Sequence, residues 1–141
     1  MPYEEVFLKA TCILPRPKDV VLVLIENQDY EHQTIKLDDN KPEEVRLMDT
    51  YNVMMAYIAE KQPEKVFILL SSHESKSHLK IKIEGIAQLV CGLNRVDCKL
   101  SSSRKVNNYL VKHPTFFQDR YGVSSVTPQY VVPALVLPFL T

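Results

Sequence analysis

Apolar and polar residues alternate in blocks along the chain, and the blocks have the lengths of strands and helices. Residues 5–14 are rich in Val, Phe, Ile and Thr, and residues 19–26 form a continuous apolar run, so each block predicts a strand. Pro15 and Pro17 impose a turn between them, which favours a hairpin. Residues 30–37 predict a third, weaker strand that suits a sheet edge, where its Lys and His can face water.

A helix is predicted over residues 42–61. Pro42 suits the first helical turn, and Glu43 and Glu44 complement the positive end of the helix dipole. Pro63 blocks any continuation. Five apolar residues at helical spacing predict the buried face: Met48, Tyr51, Met55, Ile58 and Ala59.

The second half of the chain alternates strands with helices. Residues 65–70, KVFILL, are the clearest buried strand, and residues 79–93 predict a second helix with Gly92 as its C-terminal cap. A strand over 95–100 follows, and Ser101–Ser103 offer N-caps for a short third helix. The apolar face of the second helix is predicted from Ile83, Ile86, Ala87, Val90 and Cys91.

This order of elements predicts an α/β fold. An antiparallel meander of three strands, followed by alternating helices and strands, gives a mixed sheet with helices on its faces. Residues 1–127 are predicted as one domain, because 141 residues cannot fill a second core. Residues 128–141 are apolar, almost uncharged and interrupted by three prolines, which exclude a long helix or a central strand. They predict either a strap packed on the domain or a surface for a homodimer or another partner.

Composition and charge narrow the function. Seventeen basic and seventeen acidic residues cancel, so no net field draws the protein to nucleic acid or an anionic membrane; zero net charge is nevertheless compatible with a local basic patch. Three scattered glycines exclude a glycine-rich phosphate loop. The longest apolar stretch, residues 130–140, is too short to span a bilayer, and the N-terminus does not resemble a signal peptide.

The three cysteines, Cys12, Cys91 and Cys98, form no CxxC pair. Their number and spacing argue against a disulfide framework and against a structural zinc site. We therefore expect three reduced, mostly buried thiols and a reducing cytoplasmic location.

Two segments resemble a known family. KVFILLSSHESKSHLKIKIEGIAQLV resembles the strand, loop and helix that carry the second active-site acid in the RuvC-like branch of the ribonuclease H-like superfamily. RVDCKLSSSRKVNNYLVKH resembles the strand and helix that follow in RuvC-type resolvases. The chain is also similar to a small bacterial family of uncharacterised RuvC-like proteins. The resemblance spans residues 5–113 and depends on the order of elements and the apolar pattern.

The resemblance implies a site that this sequence does not complete. Family members use several carboxylates on two Mg²⁺ ions to hydrolyse phosphodiesters. The first acid belongs in the middle of the first strand, where Lys9 and Thr11 stand. The second belongs at the end of the KVFILL strand, where Leu70 and Ser71 stand. These departures imply that the two-metal nuclease activity has been lost.

The sequence offers few candidate catalytic residues. The acid nearest the second position is Glu74, and Asp119 is the only candidate for the late acid. A divergent nuclease would use these two with Glu26 and would need Mg²⁺, whereas the leading hypothesis assigns no metal or cofactor. His73 beside Glu74 fits either an acid/base or ligand pair at a strand end or a solvated loop.

The middle third of the chain is locally basic. Clustered on one face, these residues would contact phosphates; otherwise they form a solvated face balanced by acids. The leading hypothesis is therefore a non-catalytic RuvC-like module that binds nucleic acid or protein, with a homodimer through the tail as an alternative. The candidate nucleic-acid-binding residues are Lys76, Lys80, Lys82, Arg104 and Lys105.

Overall fold

A computed structural model describes residues 9–70 and 77–140. Its strands are β1 Lys9–Pro15, β2 Asp19–Glu26, β3 Asp29–Lys36, β4 Lys65–Leu70 and β5 Asp97–Ser102. They form one sheet in the order β3-β2-β1-β4-β5. The first three strands are an antiparallel meander, and β4 and β5 extend the sheet from β1 in parallel. The predicted mixed sheet is confirmed, including the edge position of β3.

Helices cover both faces of the sheet. They are α1 Glu43–Lys61, α2 His78–Leu93, α3 Ser103–Lys112, α4 Phe116–Tyr121 and α5 Val132–Val136, with 3-10 turns at Gln129–Val131 and Leu137–Phe139. The helix face is the side covered by α1 and α2, and the tail face is the side covered by α3, α4 and the C-terminal tail, residues 128–140. Within the described residues, no helix is both long enough and apolar enough to cross a membrane.

The buried side of α1 differs from the predicted one. Thr50, Met54, Tyr57 and Ile58 are buried, whereas Met48, predicted to be core, is 56% exposed. Thr50 tolerates burial because its hydroxyl donates a hydrogen bond of 2.8 Å to a backbone carbonyl one helical turn earlier. A polar side chain satisfied within its own helix thus occupies a core position that apolar spacing alone would not assign to it.

The end of α2 also corrects a prediction. Gly92 lies inside the helix, and Arg95 has the left-handed conformation of the capping residue, with φ of 53°. The amide of Val96 donates to the carbonyl of Cys91 at 3.1 Å and that of Arg95 to Gly92 at 3.2 Å, which is a Schellman motif. Because residues 95 and 96 end the helix, β5 begins at Asp97, two residues later than predicted.

The third helix begins as predicted, and a fourth was not predicted. Ser102 is the N-cap of α3, and its hydroxyl accepts from the amide of Lys105 at 3.3 Å. The extra helix, α4, ends at Gly122 with φ of 70°, the conformation that favours glycine. Its aromatic side chains extend the tail-face core.

The C-terminal tail is part of that core. Its short helical pieces, each with a proline at or next to its first residue, pack against β1 and β4. Among the described tail residues, Tyr130 is the one large apolar side chain that is substantially exposed, at 41%. The buried ones are Val131, Ala134, Leu135, Val136, Leu137, Phe139 and Leu140.

Candidate nucleic-acid interface

The carboxyl edge of the sheet is the side at which β1, β4 and β5 end. In open α/β sheets this edge is where functional clefts form. Here the last residues of β1, Leu14 and Pro15, are buried, and so is Leu69 near the end of β4. Leu70, the last residue of β4, is half-buried. Apolar side chains therefore fill the position between the two strand ends.

Lys9 and Thr11 lie away from the position between the ends of β1 and β4. Lys9 is the first described residue of β1 and pairs with Glu26, so it belongs to the opposite, amino edge of the sheet. Thr11 is fully buried on the helix face beside Tyr57. Burial raises the pKa of the Tyr57 hydroxyl and keeps it neutral. Neither residue can replace a carboxylate at the carboxyl edge.

The C-terminal tail packs on the tail-face side of β1 and β4. Side chains from β1, α4 and β5 hold it there. The Cys12 thiol donates to the carbonyl of Ala134 at 3.2 Å, and the Tyr121 hydroxyl donates to that of Leu135 at 2.8 Å. The Lys99 ammonium donates to the carbonyl of Leu140 at 3.0 Å. Short helical segments leave carbonyls without intrahelical partners, and these side chains supply the missing donors.

An aromatic and cationic cluster lies beside the turn from β1 to β2. The guanidinium of Arg16 lies 5.1 Å from the ring centroid of Tyr130 and forms an ion pair with Asp19 at 3.0 Å. The ring of His32, from β3, meets the same tyrosine edge-on at 5.7 Å between centroids. The group immediately beyond β1 is therefore a cation stacked on an aromatic ring.

The candidate acids are dispersed. Glu26 is level with residue 64, which precedes β4, so it stands about 20 Å from the end of β4 at the usual rise per residue. Asp119 is exposed and accepts a hydrogen bond of 2.8 Å from the Thr115 hydroxyl at the start of α4. Glu74 and His73 lie outside the described residues.

A pair of Mg²⁺ ions requires several converging oxygen ligands. In the part of the chain that the structure describes, no three His, Cys, Asp or Glu side chains come together in a way that could hold a metal. The strand ends carry Leu14, Leu69 and Leu70 in place of acids. The described residues at these strand ends do not fit the pair of Mg²⁺ ions that the sequence resemblance implied.

Basic side chains concentrate on α3. Arg104 and Lys105 stand in its first turn and Lys112 in its last, all three exposed, and the helix contains no acid. No ion pair joins them to any described residue. Along one side of α3, a shallow groove of about 210 Å³ runs between the helix and Leu140 of the tail. The groove is lined by Lys105, Asn108, Tyr109, Lys112 and Leu140.

The other basic residues that were predicted to bind nucleic acid lie away from α3, in different environments. Lys80 lies in the first turn of α2, and its amide donates to the hydroxyl of Ser77 at 3.2 Å. Lys82 forms an ion pair of 2.6 Å with Glu43 of α1, so its charge is already compensated. Lys76 lies outside the described residues. Arg104 and Lys105 are thus the predicted residues that the structure brings together, close to Lys112.

Sequence reasoning did not identify the groove itself. Asn108, Tyr109 and Lys112 follow Lys105 by three, four and seven residues, which is the spacing of one helix face. That periodicity was available in the sequence. The contribution of Leu140 was not, because the packing of the tail beside α3 depends on tertiary contacts.

The charges at the helix starts distinguish α2 and α3 from α1. All three helices begin at the carboxyl edge, where the positive ends of helix dipoles favour acids. The first turn of α1 carries Glu43 and Glu44. The first turns of α2 and α3 carry no acid and instead carry lysine or arginine. A cation at the positive end of a helix dipole is locally destabilising, and in α2 and α3 these side chains add to the positive end of the dipole instead of offsetting it.

Comparisons with known proteins agree with the fold. No protein-family model matches the chain, and no curated protein matches it. Among solved structures, Thermus thermophilus RuvC superimposes with a TM-score of 0.72 at 12% identity, covering 92% of each chain. T. thermophilus RuvC in complex with a Holliday junction substrate gives 0.71 at 12% identity, covering 93% of this chain and 91% of the other. The chain therefore has a RuvC-like, ribonuclease H-like fold, as the sequence resemblance predicted.

Proposed function

We propose that this RuvC-like protein binds the phosphate backbone of nucleic acid through α3 and does not cleave it. The observation that carries the proposal is the composition of α3: Arg104, Lys105 and Lys112 are exposed, and the helix contains no carboxylate to neutralise them. Lysine and arginine on such a face neutralise phosphates and release counterions, which produces affinity even in a protein without net charge.

The arrangement favours a structured duplex or branched nucleic acid over a single strand. Single-strand binders stack successive bases on exposed aromatic rings. The aromatic residue of the groove, Tyr109, is stacked on His113 with 4.1 Å between centroids and packs edge-on against Phe116. Its ring is therefore occupied by neighbouring side chains. T. thermophilus RuvC was solved with a Holliday junction, so a four-way junction is the first probe to use.

The test is fluorescence anisotropy with a labelled four-way DNA junction and a matched duplex. We expect binding at low ionic strength that weakens as salt rises, because each phosphate contact adds about 0.9 to the slope of log K against log salt. The variant Arg104→Gln/Lys105→Gln/Lys112→Gln should reduce that slope by roughly three and weaken binding to both probes.

A control variant removes the same charge from the amino edge. Lys61→Gln/Lys65→Gln/Arg95→Gln changes three cations that lie near the starts of β4 and β5. This control variant should leave the affinity for both probes, and the slope of log K against log salt, nearly unchanged. Absence of binding at low ionic strength would contradict the proposal, and so would an equal loss in both variants.

The competing function is a divergent metal-dependent nuclease that uses Glu74, Asp119 and Glu26. Incubating the same junction with Mg²⁺ or Mn²⁺ tests it directly, with Glu74→Gln and Asp119→Asn as the variants. Our proposal expects no cleavage by the unmodified protein. Metal-dependent cleavage that both substitutions abolish would establish the nuclease instead.

A homodimer is the remaining alternative from the sequence. The apolar side chains that suggested it pack within the chain, and Tyr130 is the main apolar group that the described tail exposes. A stable dimer requires an interface of several hundred square ångströms per partner. We therefore expect light scattering to give the mass of one chain; a mass of two would favour the dimer.

A further inference from the structure

The end of α2 and the edge strand β5 bring Cys91 and Cys98 together. Cys98 pairs in parallel register with Val66, whose side chain belongs to the core of the helix face. Neighbouring residues of parallel strands point to the same face, so Cys98 also points toward α2. Cys91 is buried on that side of α2, in the same core as Val66. The hydrogen bond from the amide of Val96 to the carbonyl of Cys91 fixes the turn between them.

The two thiols differ in exposure and in acidity. The interaction of the two thiols across this turn raises the pKa of Cys91, with a further contribution from burial, and lowers the pKa of Cys98. Cys98 is exposed, whereas Cys91 is not. Cys98 therefore has the character of an attacking thiolate, and Cys91 that of a second thiol held beside it.

The third cysteine provides a contrast within the same chain. Cys12 is fully buried on the tail face, and its thiol donates to the carbonyl of Ala134. Burial raises its pKa and suppresses the thiolate. It has neither access to solvent nor a described cysteine beside it, so it serves as an internal reference for unreactive thiol chemistry.

We infer that Cys91 and Cys98 form a dithiol that hydrogen peroxide converts reversibly to a disulfide. The Cys98 thiolate attacks one peroxide oxygen, the O–O bond breaks, and Cys98 becomes a sulfenic acid as hydroxide leaves. The Cys91 sulfur then displaces the sulfenic oxygen, and its proton leaves with that oxygen as water. In total, two thiols lose two electrons and two protons, and one peroxide becomes two waters.

The surroundings allow small reagents to reach this pair. Residues 94–97, which connect the two cysteines, contribute to an open depression of about 510 Å³ at the amino edge. Cys98 follows this segment and is exposed, so peroxide can reach it, and a small thiol such as glutathione can return the disulfide to the dithiol. The disulfide would tie the end of α2 to β5. This inference is independent of nucleic-acid binding, since it concerns the opposite edge of the sheet.

The test uses the full-length reduced protein and intact mass spectrometry. After peroxide treatment we expect a monomer lighter by about 2 Da, and N-ethylmaleimide added under denaturing conditions should label one thiol instead of three. Trypsin cuts after Arg95, so the peptide ending at Arg95 and the peptide Val96–Lys99 should remain joined until a reductant is added.

Three variants make the result specific. Cys12→Ser should still form the disulfide, leaving no thiol to label. Cys98→Ser, at an exposed position, should lose the 2 Da product. Cys91→Ala should stop at a Cys98 sulfenic acid that dimedone traps. Unchanged mass in the unmodified protein would overturn the inference, as would Cys98 oxidation by multiples of about 16 Da without a crosslink, or a disulfide between two chains.

Discussion

On the helix face, α1 and α2 run for 19 and 16 residues and satisfy most of their backbone hydrogen bonds internally. On the tail face, α5 has five residues and its flanking 3-10 turns have three each. Segments this short leave many carbonyls unpaired, and Cys12, Lys99 and Tyr121 donate to them. Both faces bury apolar side chains, but among the described residues it is the tail face where side chains of other elements donate to backbone carbonyls of short helical segments.

The difference between the two faces explains how the C-terminal tail becomes ordered. A tail of this composition would not form a helix alone, since its prolines interrupt the backbone hydrogen bonding. It becomes ordered because the sheet offers an apolar surface and because side chains of other elements complete its hydrogen bonds. The same packing fills the region beside β1 and β4 with apolar side chains.

Removing the tail should have the largest effect. Deletion of residues 128–141 uncovers the tail-face side of β1 and β4, including Ala10 and Leu14. The loss should equal or exceed the whole stability of a domain, roughly 5–15 kcal/mol. Circular dichroism during heating should show no cooperative transition, and solubility should fall. A truncated protein that melts cooperatively would show that the helix face folds without the tail.

Single core truncations should affect both faces alike. Leu135 on the tail and Met54 on α1 are each fully buried. Leu135→Ala and Met54→Ala should each lower the free energy of unfolding by about 2–5 kcal/mol in urea titrations. Met48→Ala, at an exposed site of α1, should change it by less than about 0.5 kcal/mol. A small effect of Leu135→Ala alone would mean that the tail is a loosely attached strap.

A smaller change separates hydrogen bonding from packing. Tyr121→Phe keeps the ring but leaves the carbonyl of Leu135 without its donor. At neutral pH it should cost about 1–2 kcal/mol in urea titrations. Tyr51→Phe is the control on α1, because the Tyr51 hydroxyl makes no hydrogen bond to the described part of the chain. Equal effects of the two substitutions would refute the dependence of the tail on side-chain donors.

Tyr121→Phe should also change how the free energy of unfolding depends on pH. Burial raises the pKa of Tyr121 above its ordinary value of 10.0, so at alkaline pH the folded protein keeps a proton that the unfolded chain has lost. This contribution to stability is complete below pH 10 and declines above it, by about 1.4 kcal/mol per pH unit. Tyr121→Phe should make the decline shallower by that amount in urea titrations between about pH 10 and 12.

The smallest predicted effect is a gain on the helix face. Arg95 holds a positive φ at the end of α2, which costs a non-glycine residue about 1 kcal/mol. Arg95→Gly should raise the free energy of unfolding by up to that amount, measured in urea, with Arg95→Lys as the neutral control. A loss of stability would indicate that the arginine side chain contributes contacts that outweigh the strain.

Much of the fold could be predicted from the sequence. The bounds of β4 and the lengths of α1 and α2 follow from apolar runs and helical spacing, because these elements form their hydrogen bonds locally or with adjacent strands. The order of elements was sufficient to indicate the ribonuclease H-like fold. The errors occur where a polar group is satisfied in an unexpected way, as at Thr50, or where Arg95 takes a glycine conformation.

The candidate site was less predictable. Arg104 and Lys105 were identified as basic residues near a helix start, and the structure places them there. The ion pair of Lys82 with Glu43 joins residues 39 positions apart, which no local pattern reveals. Charge counting therefore indicated a longer basic patch than the one that α3 exposes.

The sequence alone determined the sheet and its long helices, because each depends on residue type and local spacing. Tertiary structure decided the place of the tail, the isolation of α3 as an uncompensated basic surface and the meeting of Cys91 with Cys98. These features join residues that are close in space but have no common period or propensity, so their energy arises only when the chain is folded.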